Sequence, residues 1–471
     1  MNPVPAGLGF AAIRDLATFL RTAATDDNST PNPLPPPYVQ KIYTICSSQP
    51  CRTTHDYVLL GFNQNEDGAT GSAGTVIDGM LNYLGGGDGI FMNYRFSQPT
   101  RTQRQHIARW TPEFQFPFAD LTINDHVTHQ TDGRQAVCEK SNTCPNTFEA
   151  NSENEWYSKG GSMLTTDGQG HDLDLSQTPN VRYYQLSSFP HGTGNSTTLG
   201  ICQQFGNPLN SAAVERALLI DLDAWTSNGT APPANQVPTI ADGTLVPSLP
   251  LGGQGFPNLL SLGVSNANIS HTGDLFNFGP LFDEGILTVL PPILLGTPYQ
   301  IFVPETDADG NDLAGVRVPE VAVPLATYAG WNLRAPRTGQ PVPIKDGCDA
   351  TGQYLPLAST VASRVAGDPR LSLQQRYSSQ TDYVNKVTQA AQQLEAEGFL
   401  LPADVALYTS TAAVAGTTLP LPSSSYTDGE PGADITAPFI APSPSASLKM
   451  GPQAMEGDLK LSPGATLLGG F

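Results

Sequence analysis

Apolar positions recur at helical spacing over residues 9–21, where Phe10, Ile13, Leu16, Ala17 and Leu20 line one side of an amphipathic helix. The run "DDNSTPNPLPPP" then breaks it. Residues 39–46 read as a strand entering the core, and residues 49–60 return to a helical pattern, with Pro50 tolerable in a first turn. Two further strands are expected at 146–151 and 180–188, and a helix at 213–225 with Val214, Ala217, Leu218 and Leu222 on one face. Residues 371–397 read as one long helix closed by Gly398, with a shorter helix after Pro402. Residues 301–304 and 315–323 flank "ETDADGND", which reads as a hairpin turn. No solenoid-length repeat is present.

Composition sharpens this picture. The 471-residue chain is long enough for a sizeable core. Its 46 glycines and 42 prolines require much loop and turn. Residues 80–145 are irregular and aromatic-rich (Phe91, Tyr94, Phe96, Trp110, Phe114, Phe116, Phe118), as in a lid or pocket-forming insert. From about residue 412 the chain is rich in Thr, Ser, Pro and Ala, and its last thirty residues read as disordered. A net charge of −20 argues against a nucleic-acid partner, because phosphate binding needs a basic face. No apolar run approaches membrane-spanning length, so no membrane partner is expected, and no signal peptide is visible at residue 1.

Six cysteines stand at 46, 51, 138, 144, 202 and 348. Their even number and the two close pairs suggest disulfides and an oxidising compartment, and the spacings fit no zinc pattern. Cys138 and Cys144 close a short loop and are expected to pair. The N-x-Ser/Thr sequons at Asn28, Asn195, Asn228 and Asn268 carry no weight in so Asn-, Ser- and Thr-rich a chain.

The stretch "KIYTICSSQPCRTTHDYVLLGFN" joins the strand at 39–46 to the helix at 49–60 through a serine-bearing turn. A nucleophile elbow has this layout, and its strand and helix pass so closely that the positions two before and two or three after the nucleophile must be small. Ser48 meets that condition with Cys46 before it and Cys51 after it; Ser47 would place branched Ile45 at the pinch. Cys46 and Cys51 either form a staple across the pinch or remain two small reduced side chains.

Several motifs then occur in one order: "GLGFAAIRD", "PNPL", "SSQPCR", "LLGFN", "IDGM", "RFSQPTR", "FPFAD", "CPNTFEANSENEWYSKGGSMLTTD", "NVRYYQLSSFPHG", "ERALLIDLDAW", "VPETDADGNDLAGVRVPEVAVPLATYAGWNLR" and "GDPRLSLQQRY". Over roughly residues 7–410 the chain resembles a family of alpha/beta-hydrolase-domain proteins regarded as serine esterases, whose elbow runs G-x-S-Q-S-G-R before a helix ending L-G-F-N. Ser48, Gln49, Arg52, Gly61, Phe62 and Asn63 match that pattern; the two family glycines fall on Cys46 and Cys51, and the second serine on Pro50.

The resemblance implies an α/β fold: a hydrolase core over 1–240 with the insert at about 80–145, an extension over 241–411 packed on it, and the tail at 412–471. It implies a Ser-Glu-His triad of Ser48, Glu155 and His191, with the Gln49 backbone N–H serving the oxyanion, and hydrolysis of a small-molecule carboxylic ester without metal or organic cofactor. His191 is also the only histidine that follows a good strand with Pro and Gly beside it. Glu153 and Asp167 are nearby rivals for the acid.

Asp125, His126 and His129 cluster without a second ligand group, and "DADGND" has its glycine at the wrong offset for an EF-hand. Family members carry a long region before "GLGFAAIRD". Its absence would leave the strand at 39–46 on an exposed edge and remove one oxyanion donor; a full-length form would then be exported, as the cysteines suggest. Two other functions stay open: a non-catalytic hydrolase-fold protein, and a secreted binding domain with the aromatic segment as its ligand surface.

Overall fold

The computed structural model describes residues 7–87, 89–90, 116–248, 255–264, 273–281, 288–289, 291–296, 298–335, 348–418 and 465–469. Among the described residues five parallel strands form the central sheet: β1 (Lys41–Ser47), β2 (Gly79–Tyr83), β3 (Asn146–Ser152), β4 (Val181–Leu186) and β5 (Ala465–Gly469). Their order is β5-β1-β2-β3-β4. The helices that matter to the site are α1 (Leu8–Thr22), α2 (Gln49–Leu59), α3 (Glu153–Ser158), α4 (Ala212–Asn228), α5 (Gln380–Ala396) and α6 (Pro402–Thr418).

Parallel strands connected by crossovers need cover on both faces. Alternate residues of β1 supply it. Tyr43 points into a cluster with Leu81, Phe148 and Tyr184, capped by Val214, Leu218 and Leu222 of α4 and by Ala391, Leu394 and Phe399. Ile42 and Met80 face the other way, onto Phe10 and Ala17 of α1 and Tyr57 and Val58 of α2. Phe148 stacks on Trp225 at 5.7 Å between ring centroids, and Tyr43 donates its hydroxyl to Asp223 Oδ1 at 2.8 Å. Glycine is required at position 79, since a Cβ there would lie 2.8 Å from the Tyr43 ring and 3.2 Å from Leu222. Asp78, just before β2, accepts from the Ile42 N–H and pairs with Arg21 and Lys41, tying α1 to the sheet.

The structure departs from the sequence reading in four places. The edge of β1 carries β5, which pairs with it from Lys41↔Ala465 to Ile45↔Gly469, so this part of the tail is strand rather than disordered. The helix expected over 371–397 is two helices, Leu373–Arg376 and α5. Ser372 and Ser379 explain the break: each side chain bonds within the helix start that follows it, offering the backbone a cap instead of continuity. Around "ETDADGND" only Thr306 and Asp312 bridge; Phe302–Pro304 pairs with Leu245–Pro247 instead. Finally, α6 runs on to Thr418, past the boundary expected at 412. Of the aromatic segment at 80–145, residues 91–115 lie outside the described residues; Phe118 packs edge-on against Tyr299 at 4.9 Å.

Candidate active site

Three of the strands deliver side chains to one place at their carboxyl ends, where parallel sheets present their ligand sites. Ser48 follows β1 directly and has φ 65°, ψ −127°, a left-handed conformation costly for any residue but glycine. Its N–H donates to Tyr83 O at 2.8 Å, and its C=O accepts from Cys51 N–H at 3.0 Å, so both sides of the turn are held. Cys46 and Cys51 form a disulfide across it, with Cα atoms 5.1 Å apart. The pinch is real: a Cβ on Gly85, after β2, would lie 3.1 Å from Cys51 Cβ and 3.0 Å from His55 Cε1.

Glu155 occupies the first turn of α3, immediately after β3. Its Oε2 accepts from the backbone N–H of Ser152 at 3.1 Å and from the Ser152 hydroxyl at 2.5 Å, a reciprocal cap that fixes the carboxylate. The side chain is fully buried. Burial pushes its pKa up, but the nearby Lys159 and His191 charges and the hydrogen bonds from His191 and Ser152 outweigh that and hold it well below the usual carboxylate range.

His191 follows β4 in the turn Phe189–Pro190–His191–Gly192. The C-terminal extension braces this turn: Gly192 N–H donates to Ala350 O at 2.9 Å, and the Ser188 N–H donates to Asp312 Oδ2 at 2.6 Å. A third disulfide, Cys202–Cys348, ties the segment after His191 to the same extension; the second joins Cys138 and Cys144.

These side chains meet. His191 Nε2 lies 2.8 Å from Ser48 Oγ, and His191 Nδ1 lies 2.6 Å from Glu155 Oε1. With the proton on Nδ1 and donated to Glu155, Nε2 presents a lone pair to the serine hydroxyl. Gln49 is the first residue of α2, where backbone N–H groups point out of the helix end.

The rival candidates face other partners. Glu153 Oε2 accepts from the Gly330 N–H at 2.6 Å, and burial together with Asp312 raises its pKa well above the ordinary value. Asp167 pairs with His171 at 2.7 Å. Asp125 accepts from Thr128 and from the Tyr299 hydroxyl, in a turn between the short strands Ile123–Asn124 and Thr131–Asp132. Asp307 and Asp309 of the "DADGND" loop pair with Arg317 and Arg376.

The sequence reading passed over Lys159, whose Nζ stands 3.0 Å from Glu155 Oε1 and 2.9 Å from His191 Nδ1. The signal available was its place four residues after Glu155 on one helical turn.

A parallel sheet crossed by helices, with a serine held on a left-handed turn straight after its strand, defines an α/β hydrolase. A family profile described as "Alpha/beta hydrolase domain" matches residues 3–410, and the chain belongs to that family. The family supports hydrolase activity in general. No curated protein and no solved structure matches the chain.

Proposed function

We propose that the chain hydrolyses carboxylic esters through an acyl-enzyme on Ser48. In this reading Ser48 Oγ attacks the ester carbonyl while its proton passes to His191 Nε2. Glu155 orients the imidazole and stabilises the imidazolium that forms. The oxyanion takes the Gln49 backbone N–H as donor. Collapse expels the alcohol, which leaves with the proton from His191. Water, deprotonated by the same histidine, then releases the carboxylic acid and restores Ser48.

The observation that carries this reading is the relay of 2.8 Å and 2.6 Å contacts ending at a serine in a strained turn. A hydroxyl in that setting is activated by the adjacent base, and the strain holds it clear of the sheet. Neither metal nor organic cofactor enters any step.

Short-chain p-nitrophenyl esters test it under stopped-flow conditions. A burst of about one nitrophenolate per chain, followed by slower turnover, is expected, and Ser48→Ala should abolish both. Wild-type turnover no faster than Ser48→Ala would favour a non-catalytic hydrolase-fold protein.

A further inference from the structure

Lys159 is a charged side chain in contact with both members of the acid–base pair, and the ester-hydrolase reading gives it no part. Its side chain is only 4% exposed. Its Nζ lies 3.2 Å from Leu84 O, 3.0 Å from Glu155 Oε1 and 2.9 Å from His191 Nδ1. A buried ammonium is costly unless paired and hydrogen-bonded. The fully buried Glu155 carboxylate supplies the opposite charge.

We propose that Lys159 is a positioning residue that sets the protonation state in which His191 works, holding Glu155 ionised while disfavouring the imidazolium, so that His191 remains a neutral base into mildly acidic solution. This rests on the acyl-transfer reading of the same site for its catalytic meaning, but not for its physics. With Lys159 present, the Lys–Glu–His cluster has zero net charge when His191 is neutral and +1 when it is protonated. Without Lys159 the values are −1 and zero. Removing the ammonium therefore favours the imidazolium, as an opposite charge with no competing cation would.

Geometry adds a second effect. The Nδ1 atom that must donate to Glu155 is also within reach of an ammonium that can only donate. The productive tautomer requires Lys159 to aim its hydrogens at Glu155 Oε1 and Leu84 O rather than at Nδ1. Lys159 thus tunes the imidazole, and its contacts with Glu155 Oε1 and Leu84 O leave the Nδ1 hydrogen directed at Glu155.

Other charged and titratable groups among the described residues lie near His191. Glu153 is turned to Gly330 and Asp312 to Ser188. Asp349 precedes Ala350, whose carbonyl takes the Gly192 N–H. Tyr83, on β2, is buried, and that burial, with Glu215 and then Glu155 nearby, raises its pKa well above the ordinary value. Lys159 stands within hydrogen-bond reach of Nδ1, so its removal changes the charge there.

The test is a histidine NMR titration of ring-labelled full-length protein, with His191 assigned by His191→Gln. Wild type is compared with Lys159→Met and Lys159→Arg; Lys159→Gln, which keeps a donor for Leu84 O, accompanies them in case the methionine variant fails to fold. In Lys159→Met and Lys159→Gln the His191 midpoint should move to higher pH by roughly one to three units, and in Lys159→Arg it should stay near wild type. The acid limb of the pH profile for fluorophosphonate labelling should move with it. An unchanged midpoint in the neutral variants, or an equal shift in Lys159→Arg, overturns the proposal and leaves Lys159 a space-filling residue. Absence of labelling in wild type would overturn the acyl-transfer reading, while the NMR titration still decides the role of Lys159.

Discussion

Replacing Cys202 with serine and Cys348 with alanine removes the covalent link between the segment after His191 and the C-terminal extension. The two cysteines are 146 residues apart in sequence, against 5 and 6 for the other two pairs. In the loop-closure account the stabilisation grows with the logarithm of the loop, giving about 5 kcal/mol for the long loop and about 2 kcal/mol for each short one. Cys348 is fully buried, and the turn after it holds Gly192 and Asn207 through the carbonyls of Ala350 and Thr351. The long link therefore constrains the unfolded chain and also the histidine loop. Equilibrium denaturation without reductant, followed by tryptophan fluorescence, should show a loss two to three times larger for the 202/348 double variant than for Cys138→Ala/Cys144→Ala. A loss no larger than that of the short pair would refute the entropic argument. Alkylation of Cys202 in unfolded, unreduced wild type would refute the pairing itself.

Three further outcomes are expected. Glu155→Gln removes the negative partner of the imidazolium and should lower kcat/KM for ester hydrolysis by about 10³- to 10⁴-fold; a loss under tenfold would remove Glu155 from the acid role. Tyr43→Phe leaves Asp223 without its phenolic donor in a buried site and should cost about 1–3 kcal/mol in denaturant unfolding, whereas an unchanged midpoint would show that the carboxylate's other donors, among them the Ser227 hydroxyl at 3.2 Å, suffice. Burial pushes the Asp312 carboxyl up to about 7, so its proton is held more tightly folded than unfolded. Its contribution to stability is complete below about pH 4 and is lost as pH rises to about 7; Asp312→Asn should reduce the pH slope of the unfolding free energy across that window, with Glu153, raised beside it, keeping a share, and an unchanged slope would contradict the assignment.

How much of this was legible in the sequence differs by element. The strands at Lys41–Ser47 and Asn146–Ser152 and the helix at Ala212–Asn228 declare themselves through local periodicity, which is also what packs them. Ser48 was separable from Ser47 by one steric fact, the size of Ile45, and the 5.1 Å separation of Cys46 and Cys51 shows how tight that pinch is. Glu155 could not be told from Glu153 by local pattern, because both lie in the first turn of α3 and differ only in which loop each carboxylate faces. Lys159 was invisible for a physical reason: lysines are almost always solvated, and only the meeting of three strand ends buries this one. The pairing of Cys202 with Cys348 cannot be deduced from spacing across so long an interval. β5 escaped because a short apolar segment within a Ser/Thr/Pro-rich tail has no local signature; its strand character comes from the β1 edge it completes. A chain ending before Ala465 should accordingly expose that edge and self-associate with rising concentration in light scattering, and a monodisperse truncated chain of unchanged stability would count against this role for β5.

The central claim, that Ser48 is a nucleophile activated by His191 and Glu155, is tested most directly by labelling the folded protein with a fluorophosphonate and mapping the adduct by mass spectrometry. The account predicts a single stoichiometric adduct on Ser48, absent in Ser48→Ala and strongly slowed in His191→Ala. A folded wild-type chain that takes no label, or takes it on another residue, would contradict it.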